Sequence, residues 1–107
     1  MADERLFGML GLAMRAGKVV IGTEQVCLAM PRGRVKLVLV SAGASEGTRK
    51  KLRTKCEYYG IKSITVEADI DDLGRILGKT YSPACVGIAD EGFAAQIERL
   101  ADQRVAD

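Results

Sequence analysis

Residues 37–40 are Leu-Val-Leu-Val, an uninterrupted apolar run in a chain of 107 residues. A strand with one face in water alternates apolar and polar side chains, whereas a strand that is covered on both faces is apolar throughout. The run therefore predicts a buried strand in a central sheet that carries helices on both faces.

Helical patterns and three further short strands alternate outward from this run. Ser45, Asp69 and Asp90 are expected to cap helices, because their side-chain oxygens can accept hydrogen bonds from first-turn N–H groups. The predicted elements are a helix over about 3–16, a strand at Val19–Ile21, a helix from Gly22 to Pro31–Gly33, the strand Leu37–Val40, a helix from Ser45 to Gly60, a strand at Ser63–Val66, a short helix from Asp69 to Gly78, a strand at Cys85–Ile88 and a last helix after Asp90. This order predicts an α/β fold, a three-layer α/β/α sandwich with a small central mixed sheet of about four strands, in a single domain over residues 1–107.

The net charge of +2 conceals an uneven distribution along the chain. Residues 1–62 hold 12 Lys and Arg against 5 Asp and Glu, a net charge of +7, whereas residues 63–107 hold 4 against 9, a net charge of −5. A basic half of this kind favours contact with nucleic acid. Part of it is concentrated in the third predicted helix, at Arg49, Lys50, Lys51, Arg53 and Lys55. This cluster either attracts a polyanion or is a solvated helix face, and the pattern alone does not separate the two.

The composition argues against catalysis. The chain contains no His, which is the commonest general base and a frequent metal ligand. Its three cysteines, Cys27, Cys56 and Cys85, form no Cys-x-x-Cys pair, and we expect all three to be small buried thiols. The acidic cluster at 69–72 is explained by helix capping and the helix dipole without a metal. We therefore expect no catalytic residue, no metal site and no cofactor, and a thiol or metal enzyme is the least favoured class.

The cysteine count also bears on the compartment. An odd number of cysteines, no signal peptide and no apolar run long enough to span a membrane together predict a cytoplasmic protein. We therefore expect no membrane partner.

The stretch Gly22-Thr23-Glu24-Gln25 opens the second predicted helix and is the most informative part of the chain for function. The first turn of a helix directs N–H groups and a partial positive charge outward, which suits a phosphate, and Gly22 allows a nucleic-acid backbone to approach closely. The Glu24 carboxylate and the Gln25 amide can accept hydrogen bonds from the N–H donors of a guanine edge. Taken alone, the tetrapeptide is better explained by an ordinary helix start with a polar, exposed first turn.

Short motifs along nearly the whole chain resemble those of a known protein family. They occur in the same order and at the same spacing as in that family, and are Leu10-Gly11-Leu12-Ala13, Arg15-Ala16-Gly17-Lys18, Gly22-Thr23, Lys36 to Val40, Ala44-Ser45, Thr48 to Lys51, Cys56 to Tyr59, Asp72 to Arg75, Gly78-Lys79 and Asp90 to Ala94. The chain resembles the kink-turn-binding ribosomal protein superfamily, of L-seven-Ae and L-thirty-e type, and specifically its bacterial YlxQ-like branch. The resemblance implies an α/β/α sandwich that binds structured RNA, typically a kink-turn with sheared G·A pairs.

The resemblance also implies where the RNA is held, namely at the start of the second helix and at the loop before the last strand. With the basic side chains near these elements, the candidate RNA-binding residues are Lys18, Gly22, Thr23, Glu24, Gln25, Arg32, Lys36, Lys79, Thr80, Tyr81, Ser82, Pro83 and Ala84. The family's strong kink-turn binders carry Asn and Glu where this chain has Glu24 and Gln25, and Lys where it has Leu28. These differences weaken the expected contact, because a neutral acceptor and an apolar side chain replace charged groups. Tyr81 in the loop can stack on an unpaired base.

The sequence thus predicts a non-catalytic RNA-binding protein, associated with the ribosome, that recognises structured RNA of kink-turn type. The expected partners are structured RNA of ribosomal origin and the ribosome, with no membrane and no small-molecule substrate. The alternative is a protein-interaction module of the same fold that has lost high-affinity kink-turn binding. Leu28 and the altered Glu24-Gln25 pair support this alternative.

Overall fold

The structure is a computed structural model that describes residues 4–66, 75 and 83–106. In chain order its elements are α1 (Glu4–Arg15), β1 (Val19–Ile21), α2 (Thr23–Ala29), a 3₁₀ turn (Met30–Arg32), β2 (Leu37–Ser41), α3 (Glu46–Tyr59), β3 (Lys62–Val66), β4 (Cys85–Ile88) and α4 (Glu91–Ala106). The predicted helix from Asp69 to Gly78 lies outside the described residues except for Arg75, which is helical. No helix within 4–66 or 83–106 is both long enough and apolar enough to cross a membrane.

The four strands form one mixed sheet in the order β1-β4-β2-β3. β4 is antiparallel to both of its neighbours, and β2 is parallel to β3. β1, β2 and β3 consequently run in one direction and β4 in the other. Gly22 after β1, Ser41 at the end of β2 and Ala84 before β4 therefore lie at the same end of the sheet, which we call the Gly22 end. The predicted mixed sheet of four strands is confirmed.

Two hydrophobic clusters cover the two faces of the sheet. Alternate residues of β2 divide between them, because Leu37 and Leu39 pack with α1 and α4, whereas Val38 and Val40 pack with α2 and α3. All four side chains are at most 5% exposed. The uninterrupted apolar run thus contributes to two cores, which confirms the predicted three-layer sandwich.

Side-chain caps determine where two of the helices begin. Ser45 Oγ accepts a hydrogen bond from Thr48 N at 3.2 Å, and Asp90 Oδ2 accepts one from Phe93 N at 2.9 Å. Both caps confirm the sequence prediction. The end of α2 differs in detail, because the chain continues through Pro31 as a 3₁₀ turn. A proline at the start of a helical turn is tolerated, since the N–H group that it lacks would have had no partner there.

The prediction of three buried thiols is wrong for Cys27. This residue is half-buried, because on α2 it lies between Val26 in the core and the exposed Leu28. Cys56 and Cys85 are buried, with 2% and 0% of their surface exposed. Burial raises the pKa of both of these thiols from 9.0 to about 11. They are therefore protonated and poor nucleophiles at neutral pH.

Candidate nucleic-acid interface

The start of α2 and the segment before β4 meet at the Gly22 end of the sheet. Gly22 N donates a hydrogen bond to Cys85 O at 3.1 Å, and the Cys85 thiol donates to Thr23 Oγ1 at 3.7 Å. Ala84 O in turn accepts a hydrogen bond from Ser41 N at 2.9 Å. The structure thus brings Gly22 and Thr23, at the start of α2, together with Ala84, at the end of the loop before β4. These are the two elements at which the resemblance implies that RNA is held. We call this surface, with Glu24 and Gln25, the α2 interface.

The loop before β4 is described only at its last two residues. Pro83 is buried and Ala84 is half-buried. The other predicted residues of this loop lie outside the described part of the chain, and are Lys79, Thr80, Tyr81 and Ser82.

The backbone of Gly22 has φ 98° and ψ 149°, a conformation that residues with a side chain rarely adopt. A Cβ atom at Gly22 would meet no atom within 4 Å, so the requirement for glycine comes from the backbone conformation. No described side chain caps α2, and its first hydrogen bond runs from Val26 N to Gly22 O. Glu24 and Gln25 are exposed on the same turn. Within the described chain, the start of α2 therefore presents N–H groups without a capping side chain next to two hydrogen-bond acceptors.

A surface cavity of about 290 Å³ extends the α2 interface along the helix. Gln25, Leu28, Arg32 and Arg34 are among the residues that line it, and Leu28 is 59% exposed. The structure therefore places Arg32 on the same surface as Gln25. Leu28 and Arg34 were not among the predicted binding residues. The signal for Leu28 is its spacing, since Gln25, Leu28 and Arg32 are three and four residues apart and share one helix face.

The structure does not bring Lys18 and Lys36 to the α2 interface. Both residues are exposed and precede a strand, whereas the interface follows one, so they lie at the opposite end of the sheet. Lys18 O accepts a hydrogen bond from Ala89 N at 2.8 Å, and four residues of extended chain, about 13 Å, separate Lys18 from Gly22. The ammonium group of Lys36 lies 3.9 Å from a carboxylate oxygen of Glu91.

Basic side chains are concentrated in the layer that α2 and α3 form. Residues 22–35 and 44–60 hold seven Lys and Arg against three Asp and Glu. In the part of the chain that the structure describes, none of the five cations of α3 forms an ion pair within 4 Å. The other layer begins α4 with Asp90 and Glu91, and Glu98 on this helix forms a salt bridge of 2.9 Å with Lys62. The basic half of the sequence thus supplies a positive layer on one side of the sheet.

The α2 interface is equipped for binding by hydrogen bonds and charge. No group of three or more His, Cys, Asp or Glu among the described side chains is arranged to hold a metal ion. The buried Cys85 thiol beside Thr23 is protonated at neutral pH, because burial raises its pKa. It therefore acts as a hydrogen-bond donor that orients the first residue of α2.

Comparison with known proteins identifies relatives of this chain. A family model described as "Ribosomal protein L7Ae/L30e/S12e/Gadd45 family" matches residues 4–98. The chain is similar to the RNA-binding protein YlxQ of Bacillus subtilis (strain 168), with 40% identity over 102 residues that cover 95% of this chain and 100% of that protein. It is also similar to the large ribosomal subunit protein eL30 of Sulfolobus acidocaldarius, with 29% identity over 91 residues that cover 85% of this chain and 88% of that protein.

A solved structure has the same fold. It is that of a protein of unknown function from Bacillus halodurans C, which matches with a TM-score of 0.87 and 37% identity over 94% of this chain and 99% of that one. The residues that the family model matches run from α1 into α4, and so include the whole sheet and both helical layers. The chain belongs to the ribosomal protein L7Ae/L30e/S12e/Gadd45 family, in its bacterial YlxQ-like branch.

Proposed function

We propose that this protein is a non-catalytic RNA-binding protein that associates with the ribosome and recognises structured RNA of kink-turn type. The RNA contacts the start of α2 and the loop before β4. The observation that carries the proposal is the hydrogen bond of 3.1 Å from Gly22 N to Cys85 O. It holds the start of α2 against the first residue of β4, directly after the loop that the family resemblance assigns to RNA.

Each group of the α2 interface has a counterpart in RNA. The N–H groups at the start of α2 suit a phosphate, and Arg32 and Arg34 add positive charge along the adjoining cavity. Glu24 and Gln25 accept hydrogen bonds from the N–H donors of a guanine edge. Because the carboxylate of Glu24 repels phosphate, a base rather than the backbone lies nearest to it.

The names of the relatives support the same class of function. One is an RNA-binding protein and another is a protein of the large ribosomal subunit. A role on ribosomal RNA places the protein in the cytoplasm, with RNA and the ribosome as its partners. The proposed interface needs no membrane and no small-molecule substrate.

Titration of a kink-turn RNA and of a plain duplex of equal length, at several salt concentrations, tests this function. We expect the kink-turn to bind more tightly at every salt concentration, since phosphate contacts alone would give both RNAs similar affinity. Gln25→Ala should raise the Kd for the kink-turn about 5-fold, because it removes a neutral hydrogen bond worth about 1 kcal/mol.

The matched control is Gln96→Ala, at an exposed glutamine of α4 in the opposite layer. It should leave the Kd unchanged. Gly22→Asp should weaken binding further, but it also strains the backbone at a φ of 98°, so Gln25→Ala is the cleaner variant. Equal affinity for the kink-turn and the duplex, or equal losses in the two glutamine variants, would rule out the proposed site.

A protein-interaction module of the same fold is the second candidate function. The observation that favours it is Leu28, an apolar side chain that is 59% exposed beside the α2 interface. The absorbance ratio at 260 and 280 nm, measured on protein purified from cells and washed in high salt, separates the two functions. With three Tyr and no Trp the chain itself absorbs little, so retained RNA is readily detected. A preparation free of nucleic acid that also binds kink-turn and duplex equally would favour the protein-interaction module.

A further inference from the structure

A second basic surface lies away from the α2 interface, between α3 and the edge strand β3. It is a groove of about 270 Å³, lined by Val40, Glu46, Arg49, Arg53, Ser63 and Thr65, which we call the α3–β3 groove. β3 is the last strand of the sheet that the described residues form, so the groove lies at the rim of the positive layer.

The fold directs both arginines and both hydroxyl groups into the groove. Ile64 of β3 packs with the core under α1 and α4, and successive side chains of a strand point to opposite faces. Ser63 and Thr65 consequently point toward α3. Arg49 and Arg53 are four residues apart and share one flank of α3. Two guanidinium groups and two hydroxyl groups therefore line the same cavity.

These groups suit the phosphates of a nucleic-acid backbone. A guanidinium group binds two phosphate oxygens at once, and Ser and Thr hydroxyls are frequent donors to phosphate. Four residues of helix rise by about 6 Å, comparable with the step between neighbouring phosphates of one strand. Neither Arg49 nor Arg53 forms an ion pair within the described chain, so no carboxylate has to be displaced. Glu46, the acidic residue of the lining, lies in the first turn of α3, where the helix dipole stabilises it.

The groove begins at the Gly22 end of the sheet. α3 follows β2 as α2 follows β1, and these two strands run in the same direction, so both helices start at that end. An RNA held at the start of α2 therefore has a positive path along α3, where Lys50 and Lys51 add charge on the exposed side. We propose that the α3–β3 groove binds the phosphate backbone of the RNA whose kink-turn occupies the α2 interface. The inference rests on the proposed function and adds a second contact to it.

The test uses the 107-residue protein and two kink-turn RNAs that differ in one stem, which is minimal in the first and longer by one helical turn in the second. Kd values are measured by fluorescence anisotropy over a salt series. We expect the wild-type protein to bind the longer RNA more tightly and with a steeper dependence of log Kd on log salt. Arg49→Gln/Arg53→Gln should abolish both differences, lowering the slope on the longer RNA by about 1.5, since each phosphate contact contributes about 0.7–0.9. The Kd for the minimal RNA should not change.

Lys50→Gln/Lys51→Gln is the matched control, because it removes the same charge from α3 outside the groove. It should weaken binding of the longer RNA less than the arginine double variant does. Arg49→Lys/Arg53→Lys keeps the charge without the bidentate geometry, and should restore the salt slope while binding more weakly than the wild type. Equal losses in the glutamine variants of the arginine and lysine pairs would overturn the inference by assigning the effect to net charge. Equal wild-type affinity for the two RNAs, the result expected if an acidic protein occupies the groove, would overturn it as well.

A failure of the proposed function gives a different result. If the wild-type protein binds the kink-turn and the plain duplex equally, the α2 interface is not a kink-turn site. The arginine and lysine double variants are then compared on the plain duplex. A larger loss for the arginine pair still supports a backbone contact in the groove, and an equal loss overturns it.

Discussion

At the scale of single residues, the close packing of Val35 on the sheet depends on the lack of a side chain at Gly87. A Cβ atom at this buried position of β4 would lie 3.2 Å from both Cγ atoms of Val35 and 3.4 Å from Cγ2 of Val26 on α2. The contacts to Val35 are closer than ordinary van der Waals contact, and β-branched side chains have few rotamers with which to retreat. Gly87 therefore allows Val35, in the segment between the 3₁₀ turn and β2, to pack closely on the sheet.

We expect Gly87→Ala and Gly87→Val to destabilise the protein progressively, by about 1 and about 2–3 kcal/mol, because each overfills the space beside Val35. The intrinsic preference of valine for strands opposes this effect. Urea unfolding measures both variants. In a Val35→Ala background Gly87→Ala should cost less, since the crowding atoms are gone. A Gly87→Val protein as stable as the wild type would show that Val35 can move away freely.

At the scale of elements, α3 is a strongly polar helix whose start depends on its cap. Its fully buried side chains are Leu52 and Cys56, so little apolar surface anchors its fourteen residues. The cap at Ser45 accordingly contributes a visible part of its stability, and also holds the end of α3 from which the α3–β3 groove begins.

Ser45→Ala should lower the free energy of unfolding by about 1 kcal/mol, because it removes the acceptor for Thr48 N. Thr54→Ala is the control, at an exposed position within the same helix. It should raise stability by about 0.5 kcal/mol, since alanine is the better helix former. Thermal or urea unfolding gives both values. Shifts of the same sign in the two variants would contradict a capping role for Ser45.

Features of the fold and of the site that depend on neighbouring residues were predicted from the sequence. Features that depend on pairing across the sheet or on the path of the chain after a helix were not. The run Leu37–Val40 predicts a strand covered on both faces, because a strand that is buried on both sides is apolar at every position. Lys18 and Lys36 were grouped with Gly22 by charge and nearness in sequence, whereas strand direction, which follows from pairing across the sheet, places them at the other end. The cavity that joins Gln25 to Arg34 depends on the 3₁₀ turn after α2, which the helical pattern does not show.

At the scale of the whole molecule, the core beneath α2 and α3 makes the protein less stable at alkaline pH. Cys56 and Cys85 both belong to this core. Burial first, and the neighbouring cysteines second, raise their pKa from 9.0 to about 11, although the Thr23 hydroxyl lowers that of Cys85 by donating a hydrogen bond to its thiolate form. Between these values the folded protein holds more protons than the unfolded chain. The protonated thiols therefore make their full contribution to the free energy of unfolding below pH 9.0. This contribution falls as the pH rises toward about 11.

We expect Cys56→Ala to lose less stability than the wild type when the pH is raised from about 8 to about 10.5, by about 2 kcal/mol, because one titrating thiol is absent. Urea unfolding under reducing conditions at both pH values measures the difference. Val40→Ala is the control in the same core. It should lower stability at both pH values and leave the alkaline loss as large as in the wild type. If Cys56→Ala shows the wild-type alkaline loss, the buried thiol does not couple folding to pH.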